Sequence, residues 1–187
     1  SVPLTLEMLS SFEMSGISPF DSEDCVERLD IHRFRSFWSA EGRHERASVE
    51  QMHLERSWSS WAVISERFGQ VGSMPVRGFF PFVAVEDKLE GVFWGAQLAC
   101  PSSWQIEIFR REDKLSLSGG LADREFGHWM KRVQPGETLT SPLAYLSTGT
   151  GTFDSFCQRL VRMQSTDVPT LEENLPILFN EWCSSWG

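Results

Sequence analysis

The sequence predicts a mainly β chain: an antiparallel sandwich, then one amphipathic helix, then a short strand of a different kind. Three observations carry this. Short alternating apolar segments recur with turn residues about every 8–12 positions over most of the chain. One run with helical period follows, in which Phe153, Phe156, Cys157, Leu160 and Val161 share a face. Last, Ile177, Leu178 and Phe179 form an unbroken apolar run closed by Asn180, Glu181 and Trp182. Such a run fits a strand buried on both faces, as in a parallel sheet covered by helices.

Taken in order, Ser1 to about Asp24 is rich in Ser, Pro and acids with little periodicity, and reads as an irregular segment or an edge. Leu29 to Trp38 alternates and reads as a strand, turned by Ser39 to Gly42. Ser48 to Ile64 alternates again, continuing through Trp58 and Trp61. Phe79 to Val85 is apolar but holds Pro81, which suggests an edge strand or bulge. Glu86 to Lys88 is a polar tip, and Val92, Trp94, Ala96 and Leu98 then fall on one face of the next strand. Trp104, Ile106 and Ile108 alternate with Gln105 and Glu107, and Leu115 and Leu117 follow until Gly119-Gly120 ends that strand. Phe126 to Val133, with Trp129, leads into Pro135-Gly136, where Pro presets the first turn residue and Gly supplies the positive φ of the second. Thr152 caps the helix, Asp154 suits its first turn, and the pattern ends near Gln164. Domain limits follow: residues 1–148 as sandwich, 149–174 as helix and linker, 175–187 as the start of something further.

Composition narrows the function. At 187 residues the chain can bury one good core with a small appendage. Its 41% hydrophobic and 23% charged residues exclude wholesale disorder. The net charge of -9 argues against nucleic acid, which requires a basic face. Arg33/Arg35 and Arg110/Arg111 sit beside acids in strand-like segments and read as solvated strand faces. No stretch approaches the ~20 apolar residues of a membrane span. No charged, then apolar leader opens the chain, so cytoplasmic and secreted locations both stay open. Cys25, Cys100, Cys157 and Cys183 are scattered, as are His32, His44, His53 and His128. That spacing gives neither zinc site nor disulfide framework, and no metal or other cofactor is expected.

Read as an ordered set, the segments resemble the N-terminal part of glycoside hydrolase family 36, the α-galactosidases and related α-N-acetylgalactosaminidases. The carrying residues are Gly91-Val-Phe-Trp-Gly95 with Trp104, Gln134-Pro-Gly-Glu-Thr138 with Ser141-Pro142, the helix at 153–164, and Leu175-Pro-Ile-Leu-Phe-Asn-Glu-Trp182. The resemblance spans roughly Ser36 to Gly187. It implies a β-supersandwich, a linker helix and the first strand of a (β/α)8 barrel. It further implies a retaining hydrolase that releases terminal α-linked galactose or N-acetylgalactosamine, with the present residues as its accessory domain. The sugar is then the partner, and the family's sandwich can help form homo-oligomers. The family's commoner form places an acid directly after the closing Trp; here Cys183 stands there, which marks a side branch.

The family's nucleophile and acid/base lie on later barrel strands, so no catalytic residue is expected before Gly187. Trp182 is the expected sugar-stacking platform at the end of the first barrel strand, with Asn180 hydrogen-bonding nearby. Retaining hydrolysis needs two carboxyls about 5–5.5 Å apart. The pairs available, Glu86/Asp87, Glu112/Asp113 and Asp123/Glu125, are expected at loop tips as solvated acids. Trp94, Trp104 and Trp129 are expected to fill the core. The rival reading is a free-standing carbohydrate-binding or interaction sandwich that uses exposed Trp as platforms.

Overall fold

The computed structural model describes residues 2–17, 26–55, 64–111 and 114–165. In chain order the described strands are β1 (Leu4–Leu6), β2 (Ser10–Ile17), β3 (Leu29–Phe37), β4 (Ala40–Ser48), β5 (Ile64–Gln70), β6 (Phe82–Asp87), β7 (Val92–Ala99), β8 (Trp104–Arg111) and β9 (Lys114–Leu121). A short helix α1 (Arg124–Gly127), β10 (Lys131–Val133), β11 (Leu143–Thr150) and α2 (Phe153–Gln164) complete them. Every described pairing is antiparallel. Five strands order as β11-β7-β6-β3-β4, four as β2-β9-β8-β5, and β1 pairs with β10 in a separate ribbon.

The two larger sheets enclose the main core, and strand alternation decides which residues enter it. Val83 and Val85 of β6, Ala96 and Leu98 of β7, and Leu29 and Ile31 of β3 face Trp104, Ile106 and Ile108 of β8 and Leu115 and Leu117 of β9. Arg110 continues the inward parity of β8 and is buried, its Nε donating to the Leu54 carbonyl. It is therefore no solvated strand face. Arg33 is half-buried, its guanidinium stacked over Phe68 and Phe79 and paired with Glu66 at 3.0 Å.

The opposite face of the five-stranded sheet is covered too. Phe82, Ala84 and Phe93 pack there under Phe156 and Leu160 of α2. This explains the unbroken apolar run of β6: both of its faces are buried. Pro81 does not mark an edge, because β6 lies between β7 and β3. The proline stands just before the strand, where it needs no N–H, and its carbonyl accepts from the Leu98 amide at 2.9 Å.

Other expectations shift for equally local reasons. The alternation after Ser48 is not a strand as far as Glu55. Val49 to His53 turn, the Leu54 amide bonds the Val49 carbonyl, and both apolar side chains plug the core. Trp58 and Trp61 lie outside the described residues. The hairpin joining β3 and β4 is tighter than expected, with Trp38 and Ser39 alone as its loop and Gly42 inside β4. Gly119 and Gly120 do not end β9 but lie within it, where a Cβ on Gly120 would stand 2.5 Å from the Leu9 carbonyl. Trp129 follows α1 in a non-strand segment. The segment before Asp24 supplies β1 and β2, the latter an edge as expected. The helix forms as its spacing predicts, capped by Thr152 and Ser155 reciprocally.

Candidate functional site

The expected sugar residues Trp182 and Asn180, with the terminal strand that carries them, lie outside the described residues, as do Glu112 and Asp113. The described acids are committed to structural contacts. Asp87 is fully buried rather than at a solvated tip. It receives Arg28 Nε at 3.0 Å and Nη2 at 3.1 Å, and its Oδ1 also accepts the Leu89 amide of the next turn. A carboxylate so satisfied closes the turn between β6 and β7 and has no freedom to act on a ligand. Asp123 is buried and caps α1, accepting from the Phe126 amide at 2.7 Å and from Gln105 at 3.1 Å. Burial opposes its ionisation, but these hydrogen bonds and the Arg67 charge together hold its carboxyl below the usual range. Glu125 is exposed and pairs with the same Arg67 at 3.0 Å. Among the described candidates, Glu125 alone matches the expectation of a solvated acid.

Of the three tryptophans expected in the core, Trp104 and Trp94 pack there; a fourth, Trp38 at the β3–β4 hairpin tip, is 85% exposed. Trp104 is 0% exposed, donates Nε1–H to the Pro75 carbonyl at 2.6 Å, and meets Phe68 edge-on. Trp94 is half-buried against the same cluster, as expected. Trp129 is half-buried but outside that cluster's described members.

Two features lie side by side on the outer face of the five-stranded sheet, and sequence spacing signals neither. The first is an apolar cleft of about 350 Å³ between α2 and the sheet, with Phe34, Phe80, Pro81, Phe82 and Leu160 in its wall. The paired amides of Gln97 and Gln164 close one side, at 2.8 Å. Cys157 also lines it, and burial, then the nearby Asp154, push its thiol pKa up, so it is a poor nucleophile. Gly95 makes the helix fit: a Cβ there would stand 2.8 Å from the Phe156 ring and 2.5 Å from the Val83 carbonyl. The second glycine of the Gly91–Gly95 motif thus has a packing reason.

The second feature is a polar chain under the start of α2. Register places His32 beside Arg46 and Ala84, and Asp30 beside Glu86. His32 Nε2 lies 3.0 Å from Glu86 Oε2, and His32 Nδ1 lies 2.9 Å from His44 Nε2. Arg46 bridges Glu86 at 2.8 Å and Asp30 at 2.6 Å, and Lys88 reaches Asp30 at 3.1 Å. Burial, then the neighbouring His44 and Arg46, lower the His32 pKa to about 4. Burial raises that of Glu86 against the opposing pull of Arg46. Asp30 and Glu86 are thus tied by the same arginine, which leaves no free pair to flank a sugar carbon.

This geometry defines a β-sandwich domain with a helix laid over one outer face, in which Glu86, Asp87, Asp123 and Glu125 are all held by neighbouring cations. No protein-family model matches the chain, and no curated protein sequence does. Solved structures match it in fold. One is the glycoside hydrolase family 36 α-galactosidase AgaA of Geobacillus stearothermophilus in complex with stachyose, at TM-score 0.63 and 16% identity, covering 86% of this chain and 20% of that one. Another is AgaB of the same organism, at 0.62 and 15%, with the same coverage. The galactosidase domain of the α-galactosidase–sucrose kinase AgaSK matches at 0.57 and 17%, over 80% of this chain and 18% of that one. The present chain spans about a fifth of the length of these enzymes. Its fold is that of the N-terminal sandwich of family 36 α-galactosidases.

Proposed function

We propose that the chain is the accessory domain of a retaining α-galactosidase-like hydrolase, with α2 leading toward the catalytic barrel. The observation that carries this is the match in fold over 86% of this chain to about a fifth of each enzyme. The committed state of Asp87, Asp123 and Glu86 supports it, because the catalytic carboxyls then belong elsewhere. AgaA was solved with stachyose and with raffinose, which supports an α-galactoside as the substrate class in this reading. In this reading Trp182 stacks on the sugar at the mouth of the barrel and Asn180 hydrogen-bonds beside it. Burial removes Trp104 as a platform for the rival free-standing binding sandwich, which among the described tryptophans retains the exposed Trp38 ring at the tip of the β3–β4 hairpin.

The test is the complete product of the reading frame, assayed on an aryl α-galactoside with the anomer of the released sugar followed by NMR. Hydrolysis with retention, and a raised KM in the Trp182→Ala form, are expected. A complete product that binds galactosides without cleaving them contradicts the enzyme reading and favours the binding module.

A further inference from the structure

The outer face carries a device that an accessory role does not use. The imidazoles of His32 and His44 lie nearly in one plane, 11° apart, joined edge to edge by their hydrogen bond. Phe153, the first residue of α2, lies flat over both, 4.3 Å from the His32 ring centre and 4.6 Å from that of His44. The helix therefore begins on a platform whose flatness depends on one shared hydrogen. We propose that the His32–His44 pair is an acid-sensitive seat for α2, which holds the first helical turn while the pair carries at most one extra proton and releases it when both rings are charged.

The hydrogen count makes the case. With Glu86 ionised, His32 Nε2–H donates to it, so His32 Nδ1 is left to accept from His44 Nε2–H. One added proton can sit on the outer Nδ1 of His44 and leave that bond intact. A second puts N–H against N–H, and one ring must swing away from Phe153. The surrounding groups resist charging. Arg46 faces the pair from β4, and Phe93 of β7 and Phe34 of β3 give apolar edges. Asp30 of β3 attracts a proton, but Arg46 and Lys88 already pair with it. From α2 the contact is the Phe153 ring, and Asp154 is turned outward to Gln158.

The sign follows from these surroundings. Burial is the first cause that lowers both histidines, His32 to about 4 from an ordinary 6.5. The released state therefore binds protons more readily. Seating is at full strength above about pH 6.5 and weakens as the pH falls toward 4. Glu86, raised by burial, works in the opposite sense and offsets part of the effect. The seat thus governs how firmly the start of α2 is held on the five-stranded sheet.

Amide hydrogen exchange on the full 187-residue chain tests this. The readout is the protection of the Phe156 and Cys157 amides in α2, taken relative to Ile106 in the core. That ratio is expected to fall at least about tenfold between pH 7 and pH 4, and to fall several-fold less in His44→Gln, whose amide oxygen can accept from a charged His32 and so avoids the clash. A level ratio in the native chain, or an equal fall in the variant, overturns the proposal. If the variant does not fold, ring nitrogen shifts of the native chain decide. Charging of both rings together with loss of α2 protection supports the seat, and loss of protection while both rings stay neutral overturns it.

Discussion

The two faces of the five-stranded sheet are built by the same strands yet have different chemistry. The inner face meets a whole second sheet, and its centre is aliphatic and aromatic, with Val83, Val85, Ala96 and Leu98 set against Trp104, Ile106 and Ile108. The outer face meets one twelve-residue helix, which covers Phe82, Ala84 and Phe93 but leaves a cleft at one end and a histidine pair at the other. Alternation along each strand lets a single sequence write both faces. The lesson is that a sheet covered fully on one side and partly on the other can be rigid and adjustable at once. The inner face sets stability, and the outer face decides where the helix sits.

Five substitutions or titrations test that division, and they differ in size. Trp104→Ala should be the most damaging, costing about 3–5 kcal/mol through lost transfer energy and a cavity at the centre of the sandwich. Chemical denaturation with both fluorescence and circular dichroism should show one shifted, cooperative transition. Phe156→Ala removes the ring seated on Gly95 and should cost about 3 kcal/mol. Its signature is uneven: exchange protection should drop in α2 well before β8, whereas the Trp104 variant should lose both together. Equal losses in both elements would erase the distinction between the faces.

Asp87→Asn takes from Arg28 the closer of two carboxylates, leaving Glu90 at 3.7 Å, and should cost about 2–3 kcal/mol, below a fully buried pair because Arg28 is partly open to water. A smaller response is expected from pH. His32 stays neutral when seated, so stability should be constant above about pH 6.5 and decline as the pH falls toward 4. Denaturation midpoints across that window measure it, and His44→Gln should reduce the decline without abolishing it, because His32 stays buried. Smallest of all, Val161→Ser on the exposed rim of the cleft should change stability by no more than ~0.5 kcal/mol. A larger loss would mean that the rim is covered.

Much of this organisation is legible in the residues. The faces of β7 and β8 follow directly from period two, and α2 follows from period 3.6 with its Thr152 cap. What sequence hides is context. Pro81 looks like an edge signal, but it stops one residue before a central strand. Val49 and Leu54 read as strand residues, but their side chains reach the core from a turn. β4 holds Glu41, Arg43, His44, Glu45 and Arg46, and such an exposed edge carries no apolar alternation to announce it. β11 is likewise an edge. The His32–His44 contact arises from hairpin register with a bulge nearby, which residue spacing does not encode. Asp87 resembles a tip acid until Arg28, 59 residues away in sequence, is placed beside it.

The central proposal is that these residues serve as a scaffold for a glycosidase and do not themselves cleave the bond. The most direct measurement is the rate at which purified residues 1–187 release the chromophore from an aryl α-galactoside between pH 4 and 8. The account predicts a rate indistinguishable from buffer throughout. Turnover by the purified chain that disappears when Glu86, Asp87, Asp123 or Glu125 is replaced by its amide would contradict it.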